Sequence, residues 1–173
     1  MNLPNKLTIA RVICVPIFVV LFLLELYIWA FIVFVAASIT DMLDGKIARA
    51  RNMVTNFGKI MDPLADKVLV YAAFALFVEK GLMPGWMLIV ILAREFAVSG
   101  MRTVAASEGK VIAAGMTGKI KTVLQMFATL FLILASYNEY IALAGKVLLW
   151  ASLVMTVVSG AEYIIKNKDV FSM

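Results

Sequence analysis

The sequence predicts an all-α integral membrane protein, with six transmembrane helices and a polar cavity at its cytoplasmic face. Three observations lead there. Hydrophobic residues make up 64% of the 173 and charged residues only 16%, with a mean hydropathy of +0.98. Soluble domains run at about 45–50% apolar and about 25% charged, and a chain this short has too little polar material to cover a water-facing surface. The apolar residues gather in six runs with short polar breaks. Lys and Arg fall unevenly on the two sides those runs define. No internal repeat, low-complexity tract or long linker divides the chain, so residues 1–173 are read as one domain.

The runs are about 7–24, 27–40, 62–78, 84–101, 118–138 and 141–164. The first follows Lys6 and contains Arg11, and no small-residue cleavage site follows it, so it is expected to remain as a span. In the third, Pro63 is expected in the first turn, where its missing N–H costs little. The fourth holds Arg94 within the span. None offers the 18 or more uncharged residues usual for a span; the longest charge-free stretch is 122–138. Each helix is therefore expected to continue past its apolar part, with polar residues on an inward face. That is the origin of the cavity.

Orientation follows from the cationic residues. With the N-terminus in the cytoplasm, thirteen of the 16 Lys and Arg lie inside, Lys80 and Lys146 lie outside, and Arg94 is in a span. Both termini are read as cytoplasmic. The outer connections are then short (25–26, 80–83 and 136–140), and Tyr27, Trp29, Trp86, Tyr137 and Tyr140 form an aromatic belt there.

Composition also removes whole classes of chemistry. There is no histidine, so a Ser-His-Asp triad, a Cys-His pair, a phosphohistidine and a histidine metal cage are all impossible. The single cysteine, Cys14, sits in an apolar run and reads as a small buried hydrophobe. The net charge of +5 suits cytoplasmic loops beside anionic lipid, and no basic polar segment of domain size exists to hold nucleic acid.

The chain has 11 acidic residues, and Asp41, Asp44, Asp62 and Asp66 fall within one 26-residue window. Spacings of three and four put each pair on one helical face, at the end of the second run and the start of the third. Four carboxylates brought together repel one another unless cations neutralise them. An all-oxygen set favours Mg²⁺ or Mn²⁺, and two such ions can clamp a pyrophosphate. A carboxylate not used by metal can act as general base.

The segment reads Asp41-Met-Leu-Asp44-Gly45-Lys-Ile-Ala48-Arg49, eight residues, then Gly58-Lys-Ile-Met-Asp62-Pro-Leu-Ala-Asp66. It resembles the signature of the CDP-alcohol phosphotransferase family, D-x2-D-G-x2-A-R-x8-G-x3-D-x3-D, at every fixed position and spacing. The resemblance implies a six-helix membrane fold, usually homodimeric. It also implies cleavage of a CDP-linked donor, transfer of a substituted phosphoryl group to an alcohol, and release of CMP. Asp41, Asp44 and Asp62 would hold metal, and Asp66 would be the base and also touch metal. Gly45 and Ala48 would leave room for the nucleotide beside the helix, and Gly58 belongs to the same motif. Arg49 is placed to meet donor phosphate or a ligating Asp. The donor set is read as Asn5, Thr8, Asp44, Gly45, Ala48, Arg49 and Gly58. Asn5 and Thr8 come from the N-terminal string Leu3-Pro-Asn-Lys-Leu-Thr-Ile-Ala-Arg11; either is otherwise a cap for the first helix.

Outside the motif lies a cationic set, Arg94, Arg102, Lys119 and Lys121. Arg94 and Arg102, eight apart, share one side of a helix, and an arginine within a span is a functional-site hypothesis by default. The four are read as a pocket for an acceptor phosphate. Glu95, next to Arg94, is expected to point elsewhere and partner it poorly. The N-terminal string, Ala93-Arg94-Glu95 with Ser99-Gly-Met-Arg102-Thr103, and Gly118-Lys-Ile-Lys-Thr122 resemble the bacterial branch of the family that joins CDP-diacylglycerol to sn-glycerol 3-phosphate. Two other readings stand beside it. One is the same chemistry on serine, inositol phosphate or phosphatidylglycerol. The other is a small transporter subunit, which the gathering of acids at one interface disfavours.

Overall fold

The computed structural model describes the backbone of residues 3–50, 56–107, 109, 112 and 115–167, and the side chains of 10–40, 67–107, 109, 112 and 115–167. Among these residues the fold is all helical. The six helices are α1 (Leu3–Leu23), α2 (Tyr27–Ala50), α3 (Asn56–Glu79), α4 (Gly85–Ser107), α5 (Met116–Ile133) and α6 (Glu139–Lys166).

The six apolar runs correspond to the six helices, but the helices run further. Backbone hydrogen bonding does not stop where hydropathy does. α2 continues from Thr40 to Ala50, and α3 starts at Asn56, before Asp62. Pro63 therefore lies inside α3 and not in its first turn, where its missing N–H leaves the carbonyl of residue 59 without its helical partner. α1 begins at Leu3, so Asn5 and Thr8 are within the helix and neither stands at its cap. α5 is shorter than its run. It ends at Ile133, and Asn138 caps α6 by accepting from the Tyr140 N–H at 2.8 Å.

α1 packs on α2 and α3, α5 packs most extensively on α6, and α4 leans on α6. The core joining the first three helices is aromatic: Phe18, Phe22, Phe34, Phe74 and Phe77 are fully or almost fully buried, with ring centroids 5.8–6.2 Å apart. The α5–α6 seam is built from small residues instead. A Cβ on Gly145 would stand 2.9 Å from the Leu132 side chain and 3.2 Å from its backbone nitrogen. Thr129, Ser152, Thr156 and Ser159 are buried, and each donates its hydroxyl to a carbonyl of its own helix. Close approach through small residues is how helices pack when lipid supplies no hydrophobic drive between them.

The outside of the bundle is apolar. Ile13, Ile89, Val147, Trp150 and Val154 are all exposed. Among the described residues, α5 and α6 are long and apolar enough to cross a membrane, and the apolar parts of α1 (Ala10–Leu23) and α2 (Tyr27–Thr40) are shorter. Only 33% of the α5 window and 28% of the α6 window is buried. A core helix of a soluble protein would be mostly buried, so the exposed Val, Ile and Trp suit lipid.

Two turns close the end where the aromatic belt was expected. Leu26 N–H reaches the Leu21 carbonyl and Glu25 N–H the Phe22 carbonyl; Leu82 and Gly81 repeat the pattern on Phe77 and Val78. This double bond pattern ends a helix through a residue at positive φ, here Glu25 at 60° and Gly81 at 70°. Lys80 Nζ lies 2.7 Å from Glu25 Oε1 and ties the two turns together. Tyr27 packs edge-on to Tyr137 at 6.3 Å, and Trp86 lies 5.8 Å from Trp150.

Candidate active site

Asp41 and Asp44 lie in α2, and Asp62 and Asp66 in α3. Their side chains, like those of Asn5, Thr8, Gly45, Ala48, Arg49 and Gly58, fall outside the described residues. Asp44 stands six residues before Ala50, the end of α2, and Asp62 six residues after Asn56, the start of α3, about 9 Å along each helix. Asp41 and Asp66 lie roughly one turn further in. Among the described residues no three acidic or thiol groups gather as a metal set. The four motif aspartates remain the candidate donors by their residue type, and an all-oxygen set fits a hard divalent ion.

The described part of the site centres on α4. Arg94 and Arg102 line one cleft of about 180 Å³ between α4, the start of α5 and the end of α6, with Gly118, Thr117, Glu162 and Lys166. Arg94 crosses to α6, its Nη2 donating to Ser159 Oγ at 3.0 Å. Its stem lies against Gly160, where a Cβ would stand 3.0 Å from Arg94 Cγ. Among the described residues Nε of Arg94 is buried and has no hydrogen-bond partner. Arg102 Nε donates to Tyr163 Oη at 3.3 Å, and its guanidinium carbon lies 5.4 Å from the centre of that ring. Glu162 accepts from Thr117 Oγ1 at 2.7 Å and from Lys166 Nζ at 2.5 Å, which holds the N-terminus of α5 against the end of α6.

The structure divides the cationic set. Lys121 is buried and donates to Glu95 Oε2. It faces a second, smaller cleft with Lys67 and Gln125. Lys119 is exposed. Glu95 is the centre of this second group. Its Oε1 lies 2.9 Å from Lys67 Nζ, and its Oε2 meets both Lys121 and, at 3.3 Å, Arg94 Nη1. The expectation that Glu95 partners Arg94 poorly is therefore corrected. Adjacent helical residues do diverge, but the long arginine stem curls back to the carboxylate. Lys67 and Lys121 reach it from other helices, so no local spacing signals them. An unpaired acid within an apolar run was the available sign, since a buried carboxylate requires cationic partners.

Three cations surround one carboxylate, which leaves two positive charges in excess beside the arginine cleft. Away from bulk water such a field favours a doubly charged anion. The cleft can thus receive a phosphate monoester, to which Arg102 offers its Nη donors and Arg94 the N–H bonds not used on Glu95 and Ser159.

Residues 1–158 match the family model described as CDP-alcohol phosphatidyltransferase. The chain is 46% identical to a protein of Bacillus subtilis (strain 168) named CDP-diacylglycerol–glycerol-3-phosphate 3-phosphatidyltransferase, over 96% of this chain and 95% of that relative. A protein of the same name from Rickettsia typhi is 40% identical over 98% of this chain and 99% of its own. One from Haemophilus influenzae is 39% identical over 94% and 91%.

Proposed function

The chain belongs to the CDP-alcohol phosphatidyltransferase family, and from that premise we propose that it transfers the phosphatidyl group of CDP-diacylglycerol to sn-glycerol 3-phosphate. The products are phosphatidylglycerol phosphate and CMP. The observation that carries the acceptor assignment is the joint lining of one cleft by Arg94 and Arg102. An unphosphorylated acceptor would have no use for two convergent guanidinium groups.

The donor lies with its acyl chains in lipid and its cytidine diphosphate against α2, where Gly45 and Ala48 leave room. Arg49, Asn5, Thr8 and Gly58 complete its surroundings. Asp41, Asp44, Asp62 and Asp66 are the residues to hold divalent metal, Mg²⁺ or Mn²⁺, as two ions. When bound, the metal supplies positive charge that neutralises the pyrophosphate and polarises the attacked phosphorus. Arg94 and Arg102 hold the glycerol 3-phosphate phosphate group; Lys119 and Lys121 add to the positive field. Asp66 accepts the proton of the C1 hydroxyl. That oxygen bonds to the β-phosphorus as the bond to the CMP oxygen breaks, in one displacement.

All six helices cross the cell membrane in this reading. The termini and the site are cytoplasmic, as the Lys and Arg distribution supports, and two copies form a homodimer, as the family resemblance implies.

The test is CMP release by purified protein in mixed micelles with CDP-diacylglycerol and Mg²⁺. Glycerol 3-phosphate, serine, inositol phosphate and phosphatidylglycerol are offered separately, with Asp66→Asn as control. Turnover with glycerol 3-phosphate alone, lost in the control, is expected. Turnover with serine or phosphatidylglycerol instead would overturn the use of Arg94 and Arg102, and turnover with inositol phosphate instead would overturn the acceptor assignment.

A further inference from the structure

We propose that Glu95 is a positioning residue, which sets the turn of α3 carrying Asp66 against the turn of α4 carrying Arg94. The inference rests on the reaction proposed above. Glu95 divides its two oxygens. Oε1 holds Lys67, the residue after Asp66, at 2.9 Å; Oε2 holds Arg94 at 3.3 Å and also Lys121. Lys67 Nζ makes a second bond to α4, donating to Ser99 Oγ at 3.2 Å, one turn beyond Glu95. Two attachments a turn apart fix rotation as well as distance. Asp66 precedes Lys67 by about 100° and about 1.5 Å along the helix. A Lys67 fixed in rotation therefore fixes the backbone from which the proposed base projects.

Two features make this more than packing. The aromatic rings that α3 gives to the core, Phe74 and Phe77, stand seven and ten residues beyond Lys67, towards the opposite end of the bundle. The side chains of Glu95 and Arg94 are only 12% and 13% exposed, so little water is present to replace a lost partner. Buried ion groups are best attested as devices that set register, not as sources of net stability. Without its carboxylate, the cluster is three cations that repel one another, with Lys67 on α3, Arg94 on α4 and Lys121 on α5.

The test compares Glu95→Gln, Glu95→Asp, Lys67→Met and the Glu95→Gln/Lys67→Met double variant with the parent. Steady-state kinetics are run with both substrates, and glycerol 3-phosphate binding is followed by calorimetry. Glu95→Gln should lower kcat by about tenfold or more and raise both KM and Kd for glycerol 3-phosphate by about tenfold, since it frees both α3 and Arg94. Lys67→Met should lower kcat similarly while leaving that KM and Kd within about twofold, since Arg94 keeps its partner. The double variant should lose no more kcat than Glu95→Gln, and Glu95→Asp should recover part of the loss. Unchanged kcat in a folded Lys67→Met, or equal effects on both parameters in the two single variants, would overturn the inference. Should Glu95→Gln fail to fold, Lys67→Met alone decides. Parent protein that does not turn over glycerol 3-phosphate would overturn the reaction and this inference with it; parent turnover with unaltered variants overturns the inference alone.

Discussion

Arg94 Cγ lies at the edge of contact with Gly160, 3.0 Å from where a Cβ on that glycine would stand. The stem has little freedom to yield, because Nη1 is bound to Glu95 and Nη2 to Ser159. Gly160→Ala should displace the guanidinium and raise the glycerol 3-phosphate KM by about tenfold, the equivalent of one weakened charged hydrogen bond. Gly85→Ala is the contrast. Its Cβ would meet only the Val78 side chain, at 3.6 Å and away from the cleft, and KM should stay within about twofold. Acceptor titrations of both variants check the pair; equal effects would count against Arg94 as a phosphate ligand.

Arg102 and Tyr163 separate packing from hydrogen bonding. Tyr163→Phe removes the 3.3 Å bond to Arg102 Nε but keeps the ring beneath the guanidinium. A rise in acceptor KM of about three- to fivefold is expected, since a net hydrogen bond contributes about 1 kcal/mol. Arg102→Ala removes the charge itself and should raise it by more than about tenfold. Acceptor KM measured at fixed CDP-diacylglycerol orders the two.

Metal dependence tests the aspartate set. EDTA should abolish CMP release. Added Mg²⁺ or Mn²⁺ should restore the parent protein but not Asp41→Asn or Asp62→Asn. Undiminished turnover in chelator would remove the metal from the reaction.

The glycines of the fold differ in what they cost to replace. Gly145→Ala forces a Cβ to 2.9 Å of Leu132 and close to its backbone, so thermal unfolding in detergent should show a loss of about 1–3 kcal/mol. Gly81→Ala meets no neighbour within 4 Å. Its penalty of about 1 kcal/mol comes from φ +70° alone. CMP release at low temperature should be the same as the parent's for Gly81→Ala.

The Glu25–Lys80 pair lies in the turns and gives a pH signature. Its hydrogen bond and the lysine charge hold the Glu25 carboxyl below the ordinary 4.5, and the same bond raises Lys80 above 10.5. A lowered carboxyl contributes stability above its unfolded pKa and loses it as pH falls through the folded one. The raised lysine contributes fully below 10.5 and loses it as pH rises through its folded value. Glu25→Gln should therefore lower Tm slightly at neutral pH and converge on the parent in acid. Both charges are exposed, so 1 M salt should narrow the gap. A gap that persists in acid would assign the effect to the turn backbone.

How far the fold was legible in the sequence depended on what each signal measures. Hydropathy found the six helices, because it reports the apolar environment directly. It placed helix ends poorly at α2 and α3, where the polar residues from 41 to 50 and from 56 to 61 remain helical. The eight-residue motif named donor chemistry because its spacings were all present. The pairing of Arg94 with Arg102 was also legible, since both stand on one helix. The removal of Lys121 to Glu95 was not. It depends on how α5 lies against α4 and α3, which no spacing along one helix encodes.

The two turns joined by Glu25 and Lys80 make a fulcrum for the bundle. α3 runs 24 residues from that pinned end to Asn56, a lever of about 36 Å. Angular play of about 5° at the pin would become a displacement of about 3 Å at the far tip over such a length, the scale that separates a held ion from a lost one. The Lys67–Glu95 clamp bears on the lever about halfway along. With that clamp the free arm shortens to the 11 residues from Asn56 to Asp66, about 17 Å, over which the same play would amount to about 1.5 Å at the tip and almost nothing at Asp66.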